Sequence, residues 1–542
     1  MSGGYSGPAA AAVEPYDPGR REAASASTPD RGTGRRHGAS ATSVRGSTLL
    51  VAGRVLALGV NLAIQVLIVR HLSKTDYGSF AYALSIVTFG QTVVVFGLDR
   101  AVSRFLPIYD ERREYGAILG TLTLAIGVIT SLGTVLIAVV ALGQKLFAES
   151  VIGDEQAVSL LLILIVLSPA QALDDLITSL FAIYARPRAI FLRKYLLSPG
   201  LKFAAVLLLS LSGSGVTFLA AGYSAAAVLG VVIYGGILVR MLRTSGLWAR
   251  FSEGAMQLRA RELFAFTIPL LSTDLLYAVI GLSDAALLSH FRGPEAVASL
   301  RSIQPAAQLT QIVFYTFLTL FTPMAARMFA RHDHEGLKDL YWQTTGWIMV
   351  MSCPIFLFTF SLAGPAATTL FGSRYADSGV LLLVLSLGYY CQVALGFNGT
   401  TLMVFGRLRF IVVLNALAVI ANLAANLVLI PPYGALGAAT GTAVTLLVHN
   451  LLKQIALWRV TRIPFFSWRY GRLHLSIAAA AAFLLLAALV IHSEVLRFAL
   501  LAAVSVVVVA ANRSLLRVGE TFPELRHFPV VRLLVGRPKG SG

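Results

Sequence analysis

Residues 46–78 read GSTLLVAGRVLALGVNLAIQVLIVRHLSKTDYG, an apolar run of helix length closed by a polar turn. Gly46–Val69 is long enough to span a membrane, since about 20 residues cross the hydrocarbon core. Arg54 stands roughly a third of the way in, where a cation costs about 3 kcal/mol on insertion scales. At 3.6 residues per turn Arg54, Leu58, Asn61 and Gln65 fall on one side of this helix. A helix bathed in lipid all round has no use for such a stripe, so it faces protein or a hydrated cavity. The alternative is that Arg54 snorkels to the membrane surface.

The rest of the chain has the same character. It is 542 residues long, 56% hydrophobic and only 13% charged, with a mean hydropathy of +0.75. No soluble core needs that much apolar sequence, so the composition describes an all-α polytopic membrane protein. Residues 1–45 are rich in Gly, Ala, Ser, Pro and Arg without an apolar run, and read as a disordered cytoplasmic tail, not a signal peptide. The cysteines, Cys353 and Cys391, both lie in apolar stretches and offer no disulfide or metal framework.

Hydropathy divides the chain into about 14 spans: 46–69, 79–98, 117–142, 157–182, 198–212, 216–240, 263–290, 298–325, 343–364, 378–403, 410–430, 434–458, 473–492 and 495–512. Of the 44 Lys and Arg, 35 fall on the N-terminal tail and every second connection, with Arg240 and Lys453 assigned to the connections they adjoin; five fall on the other connections, and four in or at the edge of spans. This asymmetry predicts a multi-pass protein of the plasma (inner) membrane with both termini cytoplasmic. It also accounts for the net charge of +18 without nucleic acid as a partner.

A weak repeat relates the turn Arg70-His71-Leu72-Ser73 and the following span to Ser289-His290-Phe291-Arg292 and its following span. The offset of six spans predicts parallel repeats related about the membrane normal; chance similarity between apolar helices is the competing explanation. The expected organisation is an N-lobe at 46–240, an inter-lobe linker at 241–262, a C-lobe at 263–460, a terminal helix pair at 461–512 and a cytoplasmic tail at 513–542.

Several spans carry polar groups at helical spacing. Span 7 has Asp274, Tyr277, Gly281 and Asp284; span 8 has Arg301, Gln304, Gln308, Gln311 and Tyr315; span 11 has Asn415, Asn422 and Asn426; span 4 has Gln171, Asp174, Asp175 and Thr178. Unpaired in hydrocarbon these groups are costly, so they point to partners or water. The span 11 amides suit plain interhelical hydrogen bonding, and Lys202 and Arg301, placed near span ends, suit snorkelling. Mid-span Asp274 requires an ion pair, a protonated carboxyl or a hydrated cavity. Together the stripes predict a cavity whose amides and carboxylates suit hydroxyls and whose arginines suit phosphate. Asp99, Arg100 and Arg104, at the predicted cytoplasmic end of span 2, read as a gate or as interfacial anchors. No Walker loop is present, and His332-Asp333-His334 reads as a solvated turn, so no metal or other cofactor is expected.

At Arg70–Gly78 the sequence resembles the polysaccharide-biosynthesis flippases, Wzx-type transporters of the multidrug/oligosaccharidyl-lipid/polysaccharide exporter superfamily. Further matches follow in order: Gly97–Arg100 through Arg104-Phe105, Asp284 ahead of Phe291–Glu295, Pro323, Asp333–Leu337, Phe371-Gly372 with Tyr375, and Pro431–Gly434 through Gly437–Ala439. The resemblance covers about 45–470; the basic N-terminal tail departs from it. It implies two six-helix lobes in a V, MATE-like, with a C-terminal helix pair added, working by alternating access. It implies an undecaprenyl-diphosphate-linked glycan as cargo, moved between leaflets of the lipid bilayer, with polysaccharide polymerase and glycosyltransferases as partners. It assigns a pyrophosphate contact to Arg54, beside Asn61, Gln65, Arg301, Gln304 and Gln308 of the stripes. Asp284 fits the recurrent acid of span 7. Coupling to a proton or sodium through Asp274 or Asp284 is the expectation their shared face suggests. A multidrug exporter and a lipid II flippase share the fold. A polymerase or ligase, an enzyme, needs a larger outer loop with basic or histidine residues. The longest outer loops here, Gly143–Gln156 and Gly364–Asp377, hold one basic residue each.

Overall fold

The computed structural model describes residues 53, 56–146, 154–183, 191–244, 246, 256–464 and 467–516, and all its regular elements are helical. Among these residues 13 segments are long and apolar enough to cross a membrane, and a shorter apolar helix, α1 (Leu56–His71), precedes them. They fall one for one on the 14 stretches read from hydropathy, and the chain is a multi-pass membrane protein.

Local chemistry sets the helix ends. Ser73 caps α2 (Lys74–Val95) by accepting from the Asp76 amide at 3.0 Å, so the helix begins five residues before the hydropathy boundary. Tyr77 and Gly78 thus lie in its first turn and not in a loop. Phe96 and Gly97 take left-handed backbone angles and break α2 from α3 (Leu98–Glu111). There follow α4 (Tyr115–Leu142), α5 (Glu155–Leu164), α6 (Leu167–Ile183), α7 (Ser198–Ser212) and α8 (Val216–Thr244). A π-helical segment, Phe191–Leu197, runs straight into α7.

The second half opens with α9 (Ala260–Arg292), then α10 (Pro294–Ala307) and α11 (Thr310–Ala330), which are offset at Gln308 after Pro305. It continues through α12 (His334–Ser361), α13 (Ala363–Phe371), α14 (Ser378–Ala394), α15 (Asn398–Val404), α16 (Leu408–Tyr433) and α17 (Ala435–Thr461). The closing helices α18 (Trp468–Val490) and α19 (Glu494–Ala511) lie against α12, where Trp342 stacks on Tyr470 at 5.8 Å.

In the first half α2 packs on α5 and α6, and α8 packs on α6 and α7; in the second, α9 packs on α16, α16 on α17 and α17 on α14. The halves meet where α2 runs against α9 and α10. The α2–α10 crossing is a near contact of backbones: a Cβ on Gly78 would stand 1.9 Å from the Pro294 carbonyl oxygen. That is why a Tyr-Gly pair follows the turn. Any side chain would hold the helices apart.

Three cations stand deeper than their sequence positions suggest. Lys202 was expected near a span end, but the π-helical lead-in places it at the middle of the 22-residue segment Phe191–Ser212. Arg193, which the charge count treats as a loop residue, is 1% exposed. Arg301 lies seven residues into α10, about 10 Å from its start, and its guanidinium turns inward, away from any surface it could snorkel to.

Candidate functional site

Between the two halves lies a cavity of about 350 Å³, lined from α1, α2, α9, α10, α14 and α17. Its polar wall joins five residues of the stripes, Gln65, Tyr277, Arg301, Gln304 and Gln308, to Tyr77, Ser85, Thr88, Tyr389 and Thr442. Polar residues at a spacing of three or four share a helix face, and burial of that face gathers them. Among the described residues Arg301 is the sole charge in this lining. Its Nη2 donates to Ser85 Oγ at 2.8 Å and to the Gly281 carbonyl at 2.5 Å, and its Nη1 donates to Gln304 Oε1 at 2.7 Å. Its Nε is buried without a partner. Gln65 donates to Tyr77 Oη at 2.5 Å and Gln308 donates to Tyr389 Oη at 2.8 Å. A fixed cation ringed by amides and phenols is a receptor for an anion carrying many hydroxyls.

A second chamber, about 410 Å³, adjoins the first. Both are lined by Thr88, Tyr277 and Ala278, so they are successive stages of one path. This vestibule has Asp99, Asp175 and Asp274 in its wall with Arg100. Arg100 of α3 donates to Asp274 of α9 at 2.8 Å, an ion pair joining the two halves of the molecule. The guanidinium of Arg104 lies 4.5 Å from the Phe266 ring centre of α9, a second cross-tie.

At the opposite end the path is shut. Arg70, in the last turn of α1, donates to the Leu370 carbonyl at 2.9 Å and to that of Thr369, the last turn of α13. Arg374 returns the contact by donating to the Val69 carbonyl near the end of α1. Each arginine thus satisfies carbonyls that a helix end leaves unpaired. Lys74 pairs with Asp377 at 3.1 Å and Thr75 donates to Glu295 at 3.1 Å.

The sequence-selected residues divide by place. Gln65, Arg301, Gln304 and Gln308 line the cavity, and Asp99, Arg100 and Asp274 line the vestibule, with Arg104 beside it. Asp284 lies apart, inside the second half. It is 2% exposed and accepts from Asn426 Nδ2 at 2.7 Å and Thr442 Oγ1 at 2.8 Å. Ser283 donates to Asn422 Oδ1 at 3.1 Å, so three oxygen-bearing helices converge there. Asn61 is exposed on α1 one turn from Gln65, and Arg54 lies outside the described residues. The sequence reading passed over Tyr389, which collects Gln304 and Gln308. It also passed over the α17 face bearing Thr442, His449 and Lys453. A stripe at i, i+7 and i+11 was there to find, but Lys453 had been credited to the adjoining basic loop.

Compared with known proteins, residues 43–329 match the family model described as polysaccharide biosynthesis protein. The chain belongs to that family. This polysaccharide biosynthesis protein is 26% identical over 350 residues to the succinoglycan biosynthesis transport protein ExoT of Rhizobium meliloti, covering 62% of this chain and 64% of ExoT. It is 20% identical over 416 residues to an uncharacterized membrane protein of Methanocaldococcus jannaschii, covering 74% and 80% respectively. Among solved structures it resembles the lipid II flippase MurJ in an inward closed conformation, at a TM-score of 0.64 and 13% identity over 87% of this chain and all of that one. An inward-facing MATE-family multidrug resistance transporter of the MOP superfamily gives a TM-score of 0.60 at 14% identity, over 75% and 95%. The polysaccharide biosynthesis protein therefore has the fold of the MOP-superfamily transporters.

Proposed function

We propose that the protein flips an undecaprenyl-diphosphate-linked oligosaccharide across the plasma membrane for cell-surface polysaccharide synthesis, by alternating access. The observation that carries this reading is the cavity between the halves, whose one charge among the described residues is a cation and whose remaining polar wall is amide and hydroxyl. A diphosphate satisfies the spare donor of Arg301, and glycan hydroxyls match Gln65, Gln304, Gln308 and the vestibule carboxylates. With the positive-inside orientation, the vestibule faces the cytoplasm and the Arg70–Arg374 end faces outward. The chain is then poised to load from the cytoplasmic side.

Release of Arg100 from Asp274 frees a cation at the mouth, so an arriving diphosphate competes with the carboxylate for it. Asp284, with Asn422, Asn426 and Thr442, supplies the oxygen-rich pocket in which a driving proton or sodium ion is held. A pyrophosphate contact by Arg54, which lies outside the described residues, is part of the same proposal.

The deciding experiment reconstitutes the protein in vesicles and follows transfer of a fluorescent undecaprenyl-diphosphate oligosaccharide to the opposite leaflet. Protein-dependent transfer that collapses in Arg301→Gln and survives partly in Arg301→Lys supports the reading. Absence of transfer with native cargo refutes it. The three vestibule carboxylates favour one second reading, export of organic cations. Efflux of a cationic dye from the same vesicles tests that alternative directly.

A further inference from the structure

The first half of the molecule holds a partly buried charge imbalance of its own, apart from the cavity between the halves. A small cavity of about 40 Å³ lies among α6, the π-helical segment, α7 and α8, lined by Gln171, Asp174, Arg193, Ser198, Lys202 and Tyr234 with apolar neighbours. Arg193 is 1% exposed and pairs with Asp174, donates to Thr178 Oγ1 at 2.9 Å and lies 4.7 Å from the Tyr234 ring centre. Its Nε has no partner. Lys202 stands at mid-segment with its Nζ 5.7 Å from the Tyr223 ring centre; among the described residues no carboxylate pairs with it.

Two cations against one carboxylate leave a net positive charge within a membrane-embedded bundle, which is costly unless a counter-charge joins it. The cavity is the smallest of those described above, and a compact monatomic anion suits it. We propose that this cavity binds a chloride ion, held by Lys202 Nζ and the free Nε of Arg193, with Ser198 and Tyr234 hydroxyls and the Gln171 amide as neutral donors. The bound anion neutralises the cluster and ties α6, α7 and α8 together.

The test needs no glycan cargo, so its failure is separate from failure of the flippase reading. Thermal unfolding of the full-length purified protein is followed in sodium chloride and in sodium gluconate at equal ionic strength, and chloride-35 line broadening is measured in parallel. A saturable rise of the unfolding midpoint in chloride, with line broadening titrated away by bromide, supports the site. Lys202→Gln then weakens apparent chloride affinity by about tenfold or more, the scale of one hydrogen bond from a charged donor, and Lys202→Arg restores most of it. Arg193→Gln also breaks the Asp174 pair and is prone to misfold, so the Lys202 variants and the wild-type line width decide. Equal midpoints in the two salts, or a chloride response unchanged in Lys202→Gln, overturns the proposal.

Discussion

Arg301 binds three acceptors, from Ser85 of α2, Gly281 of α9 and Gln304 of its own helix, and so stitches the two halves while holding a donor in reserve. Replacing it with Gln removes the charge but keeps two donors in place. Cargo transfer in vesicles is expected to fall by roughly 10–100-fold, the worth of a hydrogen bond to a charged group. Arg301→Lys keeps the charge without the planar fork and should give an intermediate rate. Gly78 is the opposite kind of residue, valued for what it lacks. A methyl group there meets the Pro294 carbonyl, so Gly78→Ala is expected to destabilise the closed end by about 1–3 kcal/mol, the range for overpacking. A lowered midpoint in thermal unfolding checks it, and an unchanged midpoint would mean that α2 and α10 separate freely.

At the scale of elements, the arginine clasps between α1 and the end of α13 with the turn after it join the two halves at the end opposite the vestibule. Loss of both guanidiniums, in Arg70→Ala with Arg374→Ala, should expose the cavity. A cysteine placed at Gln65 in that background is expected to react with a membrane-impermeant thiol reagent from the outer side several times faster than in the parent protein. Equal rates would assign the seal to α2–α10 packing alone. The Arg100–Asp274 pair offers the matching test across α3 and α9. Arg100→Asp and Asp274→Arg should each impair transfer, and the exchanged pair should recover part of it, because the attraction is symmetric in sign. No recovery would show that each residue serves the cargo separately.

For the whole molecule, transfer driven by imposed gradients distinguishes proton from sodium coupling, and Asp284→Asn should remove the dependence on whichever ion drives it. Transport unchanged after replacing both Asp274 and Asp284 with Asn would refute coupling through either. The fold was readable because hydropathy is a local quantity: a helix bundle in lipid must declare each span in its own residues. The cavity wall was readable for a related reason, since Gln65, Gln304 and Gln308 have nowhere to point but inward. Depth was not. Lys202 and Arg193 were misplaced because a π-helical turn lengthens their span, which no periodicity announces. Asp284 shares a helical face with Asp274 yet turns to α16 and α17, a choice made by neighbouring helices that one strand of sequence does not show.

One consequence follows from the clasps at the closed end. Arg70 and Arg374 grip carbonyl oxygens, not carboxylates. A carbonyl neither gains nor loses a proton between acid and neutral pH, and dissolved ions screen a contact with a neutral partner only weakly. On the proposed orientation these clasps are therefore deaf to the acidity and salinity of the world outside. The Lys74–Asp377 pair beside them does carry a carboxylate, so a response of this end to acid or salt runs through that pair and leaves the arginine clasps in place.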